Sequence, residues 1–285
     1  MYTAIIILGS IGALSAVILF AVSKKFEVRE DDRIYRIIRV LPGTNCGGCG
    51  SPGCSGFAQT IVKNESLDNQ SCPVGGNETM EKIASIMGKS AELIAPEVAV
   101  LLCNGACDVR PQTQVYDGVK NCRIAASRFG GESGCSYGCL GFGDCVEVCQ
   151  FDAMFINPET KLVEIVYDKC TGCKACVEVC PKDILEMRKK VPDAGMIYVA
   201  CANRDRGNIA LKACAHACIG CNKCVKACNF DAIVMENFLA YIEEDKCTSC
   251  GDCIPVCPTK AILSPSPALP EGEGEFPSFG GVRGG

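Results

Sequence analysis

The 285-residue sequence predicts an α+β chain: a single N-terminal apolar helix, a small cysteine-rich domain, and two tandem repeats built of short strands and helices. Three observations predict it. Residues 4 to 22 carry no charge, cysteine accounts for 25 positions and falls largely into short regular runs, and a shift of 79 residues lays one half of that cysteine pattern over the other.

From Ala4 to Val22 the chain is mostly Ile, Leu, Val, Ala and Gly. Its length is close to the roughly 20 residues that cross a bilayer as a helix. Lys24 and Lys25 follow, then Arg29, Arg33, Arg36 and Arg39. Positive flanks stay cytoplasmic, so the expected orientation puts the cysteines inside. A cleaved signal peptide would need a charged stretch ahead of the apolar one and a small-residue cleavage site behind it. Here Met1, Tyr2 and Thr3 alone precede it, which favours an uncleaved single-pass anchor in the cell (inner) membrane. Gly9, Gly12 and Ala16 put small residues where another membrane helix could approach. Net charge is -5 and no basic patch is evident, which argues against nucleic acid as a partner.

A short helix is expected over residues 26–41, with Ile34, Ile37, Ile38 and Leu41 on one face. The glycine-rich loop after it carries Cys46-x2-Cys49-x4-Cys54, completed by Cys72. Four thiols inside one short stretch make a self-sufficient cluster site, with structural zinc the alternative for this quartet alone, and the glycines let backbone N–H groups approach the sulfurs. Residues 78–100 read as an ordinary helix, with Ile83, Ile86, Met87 and Leu93 toward a core.

Two runs carry the chemistry: Cys170-x2-Cys173-x2-Cys176-x3-Cys180-Pro181 and Cys247-x2-Cys250-x2-Cys253-x3-Cys257-Pro258. This is the bacterial ferredoxin spacing, in which three cysteines hold one 4Fe–4S cubane and the fourth reaches a neighbouring one. Secreted disulfide frameworks rarely keep strict two-residue intervals, and structural zinc takes two close pairs rather than a triplet plus one. Each run therefore implies a companion. The 79-residue shift aligns Cys122, Cys135, Cys139, Cys145 and Cys149 with Cys201, Cys214, Cys218, Cys224 and Cys228, giving two tandem bacterial-type 2x(4Fe–4S) ferredoxin-like units.

Crossing over in the second repeat assigns Cys218, Cys221, Cys224 and Cys257 to one cluster, and Cys228, Cys247, Cys250 and Cys253 to its neighbour. In the first repeat Phe142 stands where Cys221 would be, and Cys135 is the expected substitute. The sets are then Cys135, Cys139, Cys145 and Cys180, and Cys149, Cys170, Cys173 and Cys176. Five clusters are expected. Cys103, Cys107, Cys122, Cys201 and Cys214 are left over. The first three resemble part of a sixth cluster that Cys201 or Cys214 would complete; zinc and free buried thiols are the alternatives. His216, the single histidine, is expected to face water.

The expected divisions are a membrane anchor (1–25), an N-terminal cluster domain (26–77), a helical linker with Cys103 and Cys107 (78–121), two ferredoxin-like units (122–190 and 191–263), and a disordered tail (264–285). The chain contains no dinucleotide-binding glycine fingerprint and no acid, base or open metal position apart from the cysteines, so no complete catalytic site is expected.

The combination of the N-terminal helix, the Cys46 to Cys72 domain and the tandem repeats with Cys135-Ser136-Tyr137-Gly138-Cys139-Leu140-Gly141 resembles the B subunit of the Rnf complex, a membrane-bound ferredoxin:NAD oxidoreductase that exports sodium or protons. The resemblance runs from Met1 to about Leu263 and implies an electron-entry subunit. Soluble ferredoxin would be its donor and other membrane subunits its acceptors, with NAD reduction and ion translocation housed elsewhere. A polyferredoxin of another redox complex, or a membrane-anchored zinc scaffold, is the competing expectation.

Overall fold

The computed structural model describes residues 2–25, 31–68, 70–128, 131–190 and 195–264, except for the side chains of residues 4, 5, 8 and 128. The expected tail from residue 265 onward lies outside them. Helix α1 spans Tyr2–Lys25, and its last turn holds Lys24 and Lys25, where cations complement the negative end of the helix dipole. The described side chains along it are exposed, Phe20 at 67% among them. Among the described residues no helix is long and apolar enough to cross a membrane.

Helix α2 (Asp32–Val40) starts later than expected, because the Asp31 side chain accepts a hydrogen bond from the Arg33 backbone N–H and caps it. Residues 26–30 lie outside the description. Helices α3 (Gly53–Asn64) and α4 (Gly76–Met87) pack on α2, burying Ile37, Phe57, Ile61 and Ile83 almost completely. The single helix expected over 78–100 does not form. Gly88 takes a left-handed φ of 68° and donates to the Ala84 and Ser85 carbonyls, which ends α4 in a manner that glycine permits. Leu93 is consequently 64% exposed, and the chain turns into strand β1 (Glu97–Leu101).

The next segment holds helix α5 (Cys122–Arg128), helix α6 (Asp144–Glu147), strands β2 (Met154–Ile156) and β3 (Val163–Ile165), helix α7 (Ala175–Val179) and strand β4 (Leu185–Lys189). β2 and β3 form an antiparallel hairpin, and β1 pairs antiparallel with β4 from Glu97↔Lys189 to Leu101↔Leu185. The second unit repeats this plan with β5 (Tyr198–Val199), α8 (Gly207–Ala213), α9 (Lys223–Ala227), β6 (Ile233–Glu236), β7 (Leu239–Ile242) and β8 (Ile262–Leu263). β6 pairs with β7, and β5 with β8. In each unit the first strand closes on the last around an inner hairpin.

The pairing moves a boundary. β1, expected in a linker, belongs to the first ferredoxin-like unit because β4 is its partner, and the stretch from Leu102 to Gly134 between that strand and the first cysteine run is longer than its counterpart, Ala200 to Ala213, so it carries an insertion. The units meet where Val100, Tyr198 and Ala200 pack together and the Asn104 N–H donates to the Ala200 carbonyl at 2.9 Å. Arg188, 2% exposed, crosses the junction from β4 and donates from Nη1 to the Ile242 carbonyl at 2.7 Å.

Candidate metal centres

Cysteines as distant in sequence as Cys103 and Cys214 converge in space. Cys46, Cys49, Cys54 and Cys72 line a cavity of about 280 Å³ between the glycine loop and α3. Cys218, Cys221, Cys224 and Cys257 line one of about 350 Å³, and Cys228, Cys247, Cys250 and Cys253 another of about 310 Å³. Each volume includes space open to solvent. Cys149, Cys170 and Cys173 all stand close enough to Cys176 to oppose its ionisation, which groups those four.

The first repeat departs from expectation at one corner. Cys122 joins Cys139, Cys145 and Cys180 around a cavity of about 380 Å³, whereas Cys135 lines a separate cavity of about 320 Å³ with Cys103, Cys201 and Cys214. The reason lies in the insertion. The Phe142 ring packs against Tyr116, with centroids 5.5 Å apart, and the start of α5 brings Cys122 to the cavity. Asp144, 7% exposed, accepts from the Cys122 N–H at 2.8 Å and from the Arg123 N–H at 3.3 Å, tethering that helix to the cysteine loop.

Cys107 joins none of these cavities. Its side chain is exposed and donates to the Glu159 carbonyl at 2.9 Å. The expected grouping of Cys103, Cys107 and Cys122 is thus dispersed over three places, since β1 carries Cys103 to the junction of the units while α5 carries Cys122 back into the first. His216 is half-buried rather than free in water, with Nδ1 3.2 Å from the Asn104 carbonyl oxygen.

The local geometry suits clusters. Tight loops precede the short helices, with Gly141 and Gly172 at φ of 73° and 72°; a Cβ there would lie 2.7 Å from the carbonyl oxygens of Lys161 and Glu97 respectively. Backbone N–H groups point at sulfur: Gly75 to Cys72 at 3.4 Å, Ala99 to Cys170 at 3.5 Å, and Ala261 to Cys257 at 3.3 Å. Burial pushes the thiols of Cys139, Cys176 and Cys201 up to about 12, and those of Cys224 and Cys253 up to about 11, with neighbouring cysteines adding to the rise. Thiolates at such depth need positive charge beside them. Iron supplies it.

Among the described residues no group of three or more His, Cys, Asp or Glu side chains closes on a point suited to one metal ion.

Several of these groups lie beside one another. A Cβ on Gly48 would lie 2.8 Å from the Cys173 carbonyl oxygen, so the N-terminal loop abuts the group of Cys149, Cys170, Cys173 and Cys176. Cys176 in turn raises the pKa of Cys145 in the adjacent cavity, and Cys224 does so for Cys253 within the second unit.

Comparison with known proteins agrees with this arrangement. Family models described as 4Fe-4S dicluster domains match residues 136–187 and 217–261, and one described as a putative Fe-S cluster matches residues 41–74. The B subunit of the Na+-translocating ferredoxin:NAD+ oxidoreductase complex of Acetobacterium woodii is 44% identical over 256 residues, covering 90% of this chain and 75% of the relative. The B subunit of an ion-translocating oxidoreductase complex of Methanosarcina acetivorans is 36% identical over 258 residues, covering 90% and 96%. The chain belongs to this family of B subunits. The B subunit of a proton-translocating ferredoxin:NAD+ oxidoreductase complex of Clostridium ljungdahlii is 39% identical over 260 residues, covering 90% of each chain. Like the expected Rnf B subunit, the chain is an iron–sulfur electron-transfer component of an ion-translocating oxidoreductase complex.

Three residues of this B subunit were missed by motif reading: Asp144, Arg110 and Asn203. Asp144 left a signal, because the aligned position in the second repeat is Lys223 and the reversal of charge marks a site with a different task. Arg110, inside the insertion, donates from Nη1 to the Cys139 carbonyl. Asn203 lies two residues beyond Cys201, and the apolar Ile124 that aligns with it in the first repeat gives no hint of its role.

Proposed function

We infer that the chain takes electrons from reduced soluble ferredoxin at its second repeat and delivers them, through cubanes held by its cysteines, to membrane subunits near its N-terminus. The observation that supports this reading is the presence of four-cysteine groups in the second unit, in the first unit and in the Cys46–Cys72 domain. The proposed ligand sets are Cys46, Cys49, Cys54 and Cys72; Cys149, Cys170, Cys173 and Cys176; Cys122, Cys139, Cys145 and Cys180; Cys218, Cys221, Cys224 and Cys257; and Cys228, Cys247, Cys250 and Cys253.

A bound cubane supplies one-electron chemistry at a potential the protein sets. The chain's own residues position the thiolates, exclude water with Ile and Leu side chains, and aim N–H groups at sulfur, which favours the reduced, more negative state. Exposed Cys221 and Cys250 place the second unit's sites near its surface, where a soluble donor would dock. Helix α1 is proposed as the anchor, on the uncharged stretch from Ala4 to Val22 in its sequence. Lys24 and Lys25 would hold the cysteine-bearing part on the cytoplasmic side.

The test is reduction of the anaerobic complex by reduced ferredoxin, followed through the iron–sulfur visible absorption, with wild type compared with Cys49→Ser/Cys54→Ser. The variant should accept electrons from ferredoxin normally yet fail to pass them to the membrane subunits. Undiminished delivery to those subunits would show that the exit lies elsewhere.

A further inference from the structure

We propose that Cys103, Cys135, Cys201 and Cys214 hold a sixth 4Fe–4S cluster that joins the two ferredoxin-like units into one continuous conductor. This rests on the electron-transfer reading above and extends it to a site that neither repeat contains alone.

Four segments meet there. Cys103 follows β1, Cys135 opens the first cysteine run, Cys201 follows β5 and Cys214 ends α8, and together they line a cavity of about 320 Å³ at the junction of the units. Cys135 and Cys214 are buried, and Cys103 and Cys201 are half-buried. Gly105 and Gly138 line it. A Cβ at Gly105 would lie 3.4 Å from the Cys214 sulfur and 3.6 Å from that of Cys103, and one at Gly138 would lie 3.6 Å from that of Cys135.

The polar surroundings address sulfur specifically. Asn203 is 1% exposed, and its Nδ2 reaches the Cys135 sulfur at 3.5 Å while its backbone N–H reaches that of Cys201 at 3.4 Å. Its Oδ1 accepts from the Asp205 N–H at 2.7 Å, which fixes the amide with its NH2 toward the cavity. One buried residue thus turns its side-chain amide to one sulfur of the cavity and its backbone N–H to another, contacts that strengthen when the sulfurs are anionic thiolates. Arg110 lines the same cavity and adds a positive charge next to a cluster that is net negative with four thiolates.

Position gives the group its purpose. The Cys139 N–H donates to the Cys103 sulfur at 3.4 Å on the side of the first unit, and the Cys218 N–H donates to the Cys201 sulfur at 3.3 Å on the side of the second. The proposed site therefore shares a direct backbone–sulfur contact with a ligand of each neighbouring site. One electron enters from the reduced cluster on the Cys218 side and the same electron leaves to the oxidised cluster on the Cys139 side. No bond to the protein forms or breaks.

Iron and acid-labile sulfide counted on the full-length chain purified without oxygen test the proposal. Wild type should carry about 24 irons, and Cys135→Ser/Cys214→Ser about 20, at four irons per cubane. A variant that keeps about 20 has folded around its remaining sites. Cys107→Ala should stay at about 24, at the same four irons per cubane. A ligand exchange, Cys201→Asp, provides a readout free of the folding question, because it should alter one component of the electron spin resonance spectrum of the reduced protein while the iron count holds. About 20 irons in wild type and double variant alike, a zinc ion in place of the missing irons, or an unchanged Cys201→Asp spectrum would each overturn the assignment. Wild type nearly free of iron would instead defeat the electron-transfer reading itself.

Discussion

Replacing Arg188 by methionine should loosen the joint between the two ferredoxin-like units. The guanidinium, 2% exposed, donates to the Ile242 carbonyl at 2.7 Å, lies 3.1 Å from Glu186 through Nη2, and stacks over the Tyr241 ring at 4.8 Å. Nε is 3.6 Å from Glu244, an ion-pair distance without a hydrogen bond. The charged hydrogen bond contributes about 1.5–3 kcal/mol and the ring contact about 0.5–1 kcal/mol. Breaking a buried pair costs about 3–5 kcal/mol when the abandoned charge stays dry. Glu186 and Glu244 each keep 27% of their side-chain surface and can rehydrate, and methionine preserves the apolar stem. We therefore expect a loss of about 3 kcal/mol. Arg188→Lys should fall between, since it keeps the charge but loses the fork. Anaerobic urea titration, followed by bleaching of the cluster absorption, measures the difference. A change below about 0.5 kcal/mol for Arg188→Met would refute the view that this side chain fastens the units, because that is the size of an ordinary surface substitution.

Arg110→Gln should lower the midpoint potentials of the clusters held by Cys139 and by Cys135, because a positive charge beside them favours the reduced state. A unit charge roughly 8 Å away at an effective dielectric of about 20 interacts by about 2 kcal/mol, so a shift of several tens of millivolts in a redox titration is expected after solvent screening of this half-exposed group. Asp144→Ala removes the acceptor for the Cys122 and Arg123 N–H groups and should cost about 1 kcal/mol while speeding chelator removal of iron from that site alone. Tyr241 donates to Glu186 at 2.7 Å, and burial, followed by that bond, pushes its hydroxyl up to about 12. The folded chain thus holds this proton more tightly than the unfolded one, whose value is near 10. The resulting stability is fully present below pH 10 and is lost as pH rises toward about 12. Tyr241→Phe should flatten the fall of stability with pH across that window, and an unaltered slope would disprove the linkage.

The cysteine spacing by itself determined the iron–sulfur family, the duplication and the grouping of cysteines in the second repeat, because a triplet at two-residue intervals has little freedom in how its loop closes. It also determined the apolar first helix and the inner face of α2, where periodicity is local. What the tertiary structure decided lies wherever partners are distant in sequence. β1 looked like the tail of a helix until β4 supplied its hydrogen bonds, and Gly88 ended α4 where hydropathy alone saw continuity. Cys122, rather than Cys135, lies beside Cys139, Cys145 and Cys180, with α5 tethered at Asp144, a contact that repeat alignment does not contain. The junction of the two units gathered Cys103, Cys135, Cys201 and Cys214 from stretches that share no motif. Spacing fixes a site whose ligands lie on one loop; a site assembled from several loops exists only once strand pairing and helix packing have placed them side by side.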